Sequence, residues 1–294
     1  MKSIILVALF ALALSNEIVN KKFIEKLKKV APFKVYDADK NPFKDWTTEE
    51  IRGLLTLKGR HYPKHRKLPP SKKSNADAYD FREAWPECVL GIRDQGNCGA
   101  NWAFSSVMAL QERFCQQTDN ATRVVLSPQD SISCDLGNMA CEGGWLDKTW
   151  DYLEKSGVVD EDCFPYTSQY ESVEECITKC KNGAPFKKYK ARDVQMHFIP
   201  DEIKEELEIH GPMQTGFDVY TDFLEYESGI YEHKEGVLEG GHAVTIIGYG
   251  IEGDIKYWIC QNSWGEKWGE EGYFRIKFGE CGIDVDVYAG MPAN

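Results

Sequence analysis

The sequence contains no apolar run long enough to cross a bilayer, because the run from Ile4 to Leu14 has only eleven residues and a spanning helix needs about 20. It also lacks internal repeats, low-complexity tracts, and motifs for metals, nucleotides or nucleic acids. Basic residues are scarce in residues 75–294, where 18 Lys and Arg stand against 40 Asp and Glu. This net charge of −22 argues against nucleic acid as a partner. We therefore expect a protein with no membrane span, no metal and no cofactor.

The first 15 residues have the composition of a secretory signal peptide. Lys2 precedes the apolar run, and the small residues Ala13 and Ser15 end it, as in a cleaved signal. Ten cysteines indicate disulfides and an oxidising compartment. The sequence thus predicts a protein of the secretory pathway, either secreted or held in a lysosome-like or vacuole-like vesicle. The sequon Asn120-Ala121-Thr122 offers an acceptor for glycosylation.

Charge divides the chain into a basic leader and an acidic body. Residues 16–74, which we call the leader, carry 16 Lys and Arg against 7 Asp and Glu, a net charge of +9, and residues 75–294 form the body. Opposite charges predict that the leader docks on the body, with an attraction that weakens below about pH 4–5 as carboxylates are protonated. The alternative is that both charges serve only solubility.

Two short helices are predicted in the leader. Thr47 followed by Glu50 is the pattern of a capping box, and it predicts a helix that continues through Ile51. The basic, proline-containing segment from Lys58 to Lys73 is typical of an exposed linker. An apolar face at helical spacing predicts the earlier helix, and it consists of Phe23, Ile24, Leu27 and Val30.

The body changes from a helical to a β pattern along the chain. Ser127-Pro128 is a helix start, and another helix begins near Leu146 and stops at Gly157. After a short helix at 201–209 come alternating or apolar runs, which are typical of strands in an antiparallel sheet or barrel. The predicted strands are Met213–Tyr220, His242–Gly250, Ile255–Ser263, Gly272–Phe278 and Val285–Met291.

A Gly-rich loop at 94–100 leads into another helix. The apolar residues Ala103, Val107, Leu110 and Phe114 recur at steps of four, three and four, which predicts one buried stripe and a first turn at Asn101. The side chain of Asn101 therefore lies at the positive end of a helix dipole, beside unpaired backbone N–H groups. At such a position a thiol would lose its proton easily, and an oxyanion would be held.

The run Cys98-Gly99-Ala100-Asn101-Trp102 resembles the active-site loop of papain-type cysteine peptidases, whose signature is Cys-Gly-Ser/Ala-Cys-Trp. The resemblance implies that residue 101 takes the position of the catalytic nucleophile. That residue is asparagine, and a carboxamide cannot ionise to a thiolate or form a thioester acyl-enzyme. The nearby Cys98 does not substitute for it, because the resemblance commits Cys98 to a disulfide.

A histidine and an asparagine follow at the spacing of this family. His242 comes 141 residues after Asn101, and Asn262 comes twenty residues later. The resemblance implies that His242 acts as acid and base, that Asn262 fixes its tautomer, and that Trp264 covers the pair. It also implies that Gln95 belongs to the oxyanion hole, together with the backbone N–H of residue 101.

The resemblance further implies a peptide-binding cleft. Gly143 and Gly144 match a segment whose backbone pairs with an extended peptide, and an ordinary turn is the alternative. Asp286 matches the wall of the pocket for the second residue before the scissile bond, where an acidic residue in the cathepsin B branch favours basic or mixed side chains. The implied substrate-binding residues are Gly143, Gly144, Ala243, Trp264 and Asp286.

A helical half followed by a β half resembles the two-domain papain fold, an α+β fold whose C-terminal half is an antiparallel, barrel-like sheet and whose cleft lies between the halves. By this resemblance residues 1–15 are a signal peptide, 16–74 a prosegment of the cathepsin B type that occupies the cleft until it is removed, 75–185 the helical domain and 186–294 the β-rich domain. The implied disulfides join Cys88 to Cys115, Cys98 to Cys141, Cys134 to Cys176 and Cys163 to Cys180, and leave Cys260 and Cys281 free.

The sequence lacks the kind of insertion that closes one end of the cleft in cathepsin B. Cathepsin B carries a long insertion with two histidines that blocks one end of its cleft. Only twelve residues separate Cys163 from Cys176 in this sequence, and none of them is histidine. The resemblance therefore implies a cleft open at both ends, so that any activity would be that of an endopeptidase.

Three functional hypotheses follow. The first is a pseudopeptidase, a monomer that binds a peptide or protein ligand, or its own prosegment, without cutting it. The second is an active cysteine endopeptidase in which Asn101 is an introduced replacement of the nucleophile. The third is slow attack by water with His242 as base and the oxyanion hole intact. Labelling with a thiol-directed probe distinguishes the first two.

Overall fold

The computed structural model describes residues 19–59 and 76–293. The predicted signal peptide, residues 1–15, and most of the basic segment from Lys58 to Lys73 lie outside these ranges. Within the two ranges, no helix combines the length and the apolar character that a bilayer crossing requires.

Residues 19–59 of the leader form two helices and one short strand, which are α1 (Lys21–Leu27), β1 (Lys34–Val35) and α2 (Thr48–Leu54). The capping box is present, since Thr47 Oγ1 accepts from the Glu50 N–H at 3.2 Å and Glu50 Oε2 accepts from the Thr47 N–H at 2.7 Å. Both predicted leader helices are confirmed. Val30, however, lies beyond the end of α1 and is exposed, so it does not belong to the apolar face.

The helix that begins at Asn101 is the centre of the body. It is buried from Asn101 to Gln116, so the predicted single buried stripe is too narrow. The reason is that helices pack on one side of it and the large sheet packs on the other. The body helices are α3 (Phe81–Ala84), α4 (Asn101–Gln117), α5 (Pro128–Cys134), α6 (Leu146–Lys155) and α7 (Pro200–His210).

The second half of the body is an eight-stranded sheet. The strands of the body are β2 (Tyr79–Asp80), β3 (Lys190–His197), β4 (Met213–Tyr220), β5 (Tyr226–Ser228), β6 (Ile230–Tyr231), β7 (Leu238–Glu252), β8 (Ile255–Gln261), β9 (Tyr273–Lys277) and β10 (Val287–Ala293). The sheet follows the order β3-β10-β4-β7-β8-β9-β6, β2 pairs with β7, and β5 pairs separately with the leader strand β1. All of these pairs are antiparallel except β6 with β9, which is parallel.

Four disulfides fix the loops of the body. They join Cys88 to Cys115, Cys98 to Cys141, Cys134 to Cys176 and Cys163 to Cys180, which are the pairs that the resemblance implies. Cys260 and Cys281 are in no disulfide, and Cys260 is buried whereas Cys281 is partly exposed. The disulfide at Cys98 ties the loop before α4 to the segment that contains Gly143.

The leader docks on the body through ion pairs and through apolar packing. Exposed ion pairs contribute about 0–1 kcal/mol each, whereas an apolar side chain that becomes fully buried contributes about 1.5–3 kcal/mol. The ion pairs are Lys26 with Glu235 at 2.8 Å, Lys34 with Glu227 at 2.8 Å and Arg52 with Glu239 at 3.0 Å, and each leader cation is more than half exposed. The leader side chains buried in the same core as body residues include Ile24, Leu27, Phe33, Ile51 and Leu54. For leader residues 19–59, apolar packing therefore outweighs the charge attraction that the sequence predicted.

One contact between leader and body involves a buried carboxyl group. Asn41 Nδ2 donates to Glu225 Oε2 at 2.6 Å and to the Leu224 carbonyl at 3.1 Å. Burial raises the pKa of Glu225 from 4.5 to about 7, although the Asn41 hydrogen bond and the charge of Lys28 act in the opposite direction. Between these two pH values the folded chain binds a proton at Glu225 that the unfolded chain does not bind.

We expect Glu225→Gln to stabilise the leader-bound protein at alkaline pH. Because the folded pKa is raised, the stabilisation linked to Glu225 is fully present below about pH 4.5 and is lost as the pH rises through about 7. Glutamine keeps an acceptor for Asn41 without carrying a charge. The free energy of unfolding of the variant should therefore exceed that of the natural chain by on the order of 2–3 kcal/mol at pH 8 and by almost nothing at pH 4.5. Urea unfolding at both pH values measures this, and an equal difference at both would contradict it.

Candidate active site

Asn101 is the first residue of α4, and its side chain is fully buried. No side chain caps the helix, and the Ala103 N–H donates to the Ala100 carbonyl at 2.9 Å, which leaves the backbone N–H groups of Asn101 and Trp102 for a ligand. The Asn101 Nδ2 group donates a hydrogen bond of 2.7 Å to the main-chain carbonyl of Leu54, at the end of the leader helix α2. Asn101 Oδ1 has no hydrogen-bond partner within 19–59 and 76–293.

Gln95 is a second amide that faces the same carbonyl. Its Nε2 group lies 3.5 Å from the Leu54 oxygen and donates a shorter hydrogen bond, 2.9 Å, to the Cys98 carbonyl. Its Oε1 atom accepts from Ser263 Oγ at 2.7 Å, which fixes the orientation of the amide. Two amide N–H donors thus converge on one carbonyl oxygen of the leader.

His242, on β7, and Asn262, directly after the neighbouring strand β8, form a buried pair. The oxygen of Asn262 is identified by its hydrogen bond from the Ser263 N–H at 2.8 Å, so the 2.8 Å contact to His242 places a proton on His242 Nε2. The unprotonated Nδ1 atom of His242 is buried and without a partner in the described part of the chain. The Trp264 ring covers the imidazole, with ring centroids 4.5 Å apart.

Burial determines the protonation state of this imidazole. It lowers the pKa of His242 to about 4, and the hydrogen bond with Asn262 raises it only in part. While the leader is in place, His242 is therefore neutral at any pH well above 4. A neutral imidazole with a free Nδ1 lone pair can accept a proton, as a general base must.

Two hydrogen bonds fix the first turns of α4 to the sheet that carries His242. Gln214, on β4, donates through Nε2 to the Trp102 carbonyl at 2.7 Å. Thr245, on β7 three residues after His242, donates to the Ser105 carbonyl at 3.0 Å. The side chain of residue 101 and the imidazole are therefore held by one rigid framework.

The leader passes through the groove beside these residues as an extended chain. Thr56 Oγ1 donates to the Gly99 carbonyl at 2.8 Å. The Leu57 N–H donates to the Gly241 carbonyl at 3.1 Å, and the Lys58 N–H donates to the Gly144 carbonyl at 2.8 Å. Main-chain pairing of this kind holds a peptide with little regard to its sequence.

Gly143 explains why the leader can approach so closely. It has φ of +104°, and an added Cβ would lie 2.0 Å from the Thr56 carbonyl oxygen. Any other residue would strain the backbone and displace the leader. The adjacent Gly144 then supplies the carbonyl that accepts from Lys58.

Leu57 fills an apolar pocket beside the groove. Its side chain packs against the cluster that contains Leu146 and Ala243. An added Cβ at Gly216 would lie 2.5 Å from Leu57 Cδ2 and 3.8 Å from Asp286 Oδ1, so a small residue is required between them. Asp286 is buried, and its Oδ1 atom lies near Gly216 beside this pocket, while its role in substrate binding stays a prediction.

The structure places the nine predicted site residues along or next to the path of the leader, while their catalytic and substrate-binding roles stay predictions. It also adds contacts that the sequence did not reveal. Phe43 of the leader packs edge-on against Trp264, with ring centroids 5.2 Å apart. Ser263 orients Gln95, and Leu54 supplies the carbonyl at Asn101. Aromatic residues in the leader were a visible signal, but nothing in the local sequence indicated which leader carbonyl would meet residue 101.

The fold and the groove are those of the cysteine peptidase class with a papain-like α+β fold, and the chain's own leader lies in the groove. The chain belongs to the papain family of cysteine proteases, whose family model matches residues 75–291. It is 42% identical over 262 residues to "Cathepsin B-like CP3" of Giardia intestinalis, covering 86% of this chain and 87% of that protein. It is 37% identical over 248 residues to a cathepsin B-like cysteine proteinase of Schistosoma japonicum, covering 72% of each.

Solved structures give the same assignment. The fold is similar to procathepsin B S9 from Trypanosoma congolense, with a TM-score of 0.83, 27% identity, and coverage of 94% of this chain and 99% of that one. It is also similar to procathepsin L2 from the larval midgut of Tenebrio molitor, with a TM-score of 0.76, 25% identity, and coverage of 92% and 89%. Both relatives are proforms by their descriptions, in agreement with a leader that occupies the groove.

Proposed function

We propose that this chain is a catalytically inactive cathepsin B-like homologue, a pseudopeptidase whose cleft binds polypeptide segments without cutting them. The observation that carries the proposal is the side chain at the first position of α4, where the Asn101 carboxamide donates to a peptide carbonyl at 2.7 Å. A papain-type reaction needs a thiolate at this point, and a carboxamide has no ionisable group that could attack a carbonyl carbon. His242 then has no nucleophile to activate.

The remaining groups of the site bind and orient rather than react. Gln95 presents an N–H donor to the Leu54 carbonyl of the leader. Gly144 and Gly241 accept hydrogen bonds from the main chain of the bound segment. His242 and Asn262 keep their mutual orientation, a feature that would serve acid–base chemistry if a nucleophile were present.

The ligand of the cleft includes the chain's own prosegment, residues 16–74. We further propose that the protein is a secreted or vesicular monomer that encounters peptide or protein ligands once this prosegment is displaced. The signal-like residues 1–15 and the disulfides support the compartment. The depth at which Ile24, Leu27 and Ile51 are buried supports a leader that stays bound until a process removes it.

A second candidate is an active endopeptidase of the papain type in which residue 101 was originally cysteine. The intact geometry of His242, Asn262 and Gln95 favours it, since a site without selection for catalysis has no need of that geometry. Mass spectrometry of residue 101 in protein from its natural source separates the two candidates.

An electrophilic peptide probe tests the proposal on protein isolated from its source, with the N-terminus and residue 101 determined by mass spectrometry. We expect no probe at residue 101 and no hydrolysis of an unstructured polypeptide. The Cys281 thiol, which is in no disulfide, is a background site for the probe, but burial raises its pKa, so it remains protonated and reacts slowly. Mapping the labelled residue removes this ambiguity. Hydrolysis at ordinary enzymatic rates with asparagine confirmed at 101 would refute the proposal.

A further inference from the structure

We propose that Asn101 is itself a peptide-binding residue, whose side-chain N–H holds the main-chain carbonyl of the segment in the cleft. The ligand group is a neutral peptide carbonyl, which the leader supplies from Leu54. This inference rests on the proposed function, because it gives the replacement at the nucleophile position a role in binding. The side chain of residue 101 then stabilises the occupied cleft, in addition to having no nucleophilic group.

The contact is made between two fully enclosed groups. Asn101 is 0% exposed and Leu54 is 1% exposed, so water does not compete for either partner. Leu54 is the last residue of α2, and a carbonyl at a helix end has no intrahelical partner. The only other donor that faces this oxygen in the described residues is Gln95, at the long distance of 3.5 Å. The Asn101 amide is therefore the main donor to this carbonyl.

A carboxamide and a sulfur group at residue 101 differ in how they interact with a carbonyl oxygen. A thiol is a weak hydrogen-bond donor and a thiolate is an anion, which a carbonyl oxygen repels. A carboxamide offers two strong N–H donors and carries no charge. An asparagine at the start of α4 thus binds a carbonyl that a papain-type nucleophile would hold less well.

The contact with Asn101 adds to the main-chain pairing further along the leader. The N–H groups of Leu57 and Lys58 donate to Gly241 and Gly144, and both N–H groups become exposed to solvent only when the leader lifts from the body. Their hydrogen exchange therefore reports how often the cleft opens. This readout does not depend on any catalytic activity.

The experiment measures amide hydrogen exchange in the full chain, on peptides that contain residues 55–59. Asn101→Ala removes the donor, and Asn101→Leu removes it while keeping a side chain of similar volume. Losing a donor to a buried carbonyl should raise exchange at Leu57 and Lys58 by about 5- to 100-fold in both variants. Ser106→Ala is the matched control, because the Ser106 hydroxyl lies on the same helix and donates to the Ala103 carbonyl at 2.9 Å instead of to the leader.

The outcomes separate this inference from the proposed function. A binding role is supported if exchange at residues 57 and 58 is faster in both Asn101 variants while exchange in the Ser106 control and in the strands of the body is unchanged. This result does not depend on whether the natural protein cuts peptides. If exchange at residues 57 and 58 in both Asn101 variants stays within two-fold of that in the natural chain, the inference is wrong. The proposed inactivity, which rests on the missing nucleophile, is not affected by that result. A uniform rise across all amides also overturns the inference, since residue 101 would then stabilise only the fold.

Discussion

Asn101→Cys is expected to raise peptidase activity by about 10⁴- to 10⁶-fold over the natural chain once the leader is removed. The first turn of α4 places the new sulfur at the positive end of the helix, where its thiolate is stabilised. His242 keeps an unprotonated Nδ1, and Gln95 keeps an N–H directed at a carbonyl oxygen. Hydrolysis of an unstructured fluorogenic polypeptide measures the gain, after an added peptidase has removed the leader and has been inhibited.

Two controls make the result specific. Asn101→Cys combined with His242→Ala should lose most of the gained activity, because the thiol then lacks its base. The same Asn101→Cys protein with its leader intact should be inactive, because Thr56 and Leu57 fill the groove. If the processed single variant folds but does not cut, the remaining site is not competent and a purely binding role gains support.

Glu206→Gln is expected to lower the free energy of unfolding by about 3–5 kcal/mol at pH 7. Its partner Arg113 is 0% exposed on α4, and Arg113 Nη1 donates to Glu206 Oε1 on α7 at 2.9 Å. The same guanidinium also donates to the carbonyls of Gly211 and Pro212, so it cannot leave the interior. Removing the carboxylate leaves a buried cation without a counter-charge. Urea unfolding measures the loss.

The pH dependence of this ion pair provides a second test. Burial alone would raise the pKa of Glu206, but the His210 hydrogen bond and the charge of Arg113 outweigh it and lower the pKa from 4.5 to about 2. The stabilisation is therefore present above about pH 4.5 and is lost as the pH falls towards 2. The exposed pair of Lys155 and Asp151 is the control, and Asp151→Asn should cost less than about 1 kcal/mol. Equal losses in the two variants would contradict the argument.

The elements that the sequence predicted well are those whose signals are local. The strand Met213–Tyr220 has the predicted bounds, and α2 begins where the Thr47 capping box indicates. The other four predicted strands are present with shifted ends, because strand ends depend on the neighbouring strand. β3, at Lys190–His197, was missed because its charged residues hide the alternation, and pairing with β10 makes it a strand.

The sequence by itself determined that no thiol stands at residue 101, and that a histidine and an asparagine follow at the spacing of a cysteine peptidase. Residue identity and spacing along the chain are sufficient for those statements. Only the tertiary structure decided that the amide of Asn101 meets the carbonyl of Leu54, 47 residues earlier in the chain. The path of the leader across the groove depends on the combined packing of its apolar side chains in the body core. Their helical spacing predicted an apolar face, but it did not indicate which part of the body that face contacts.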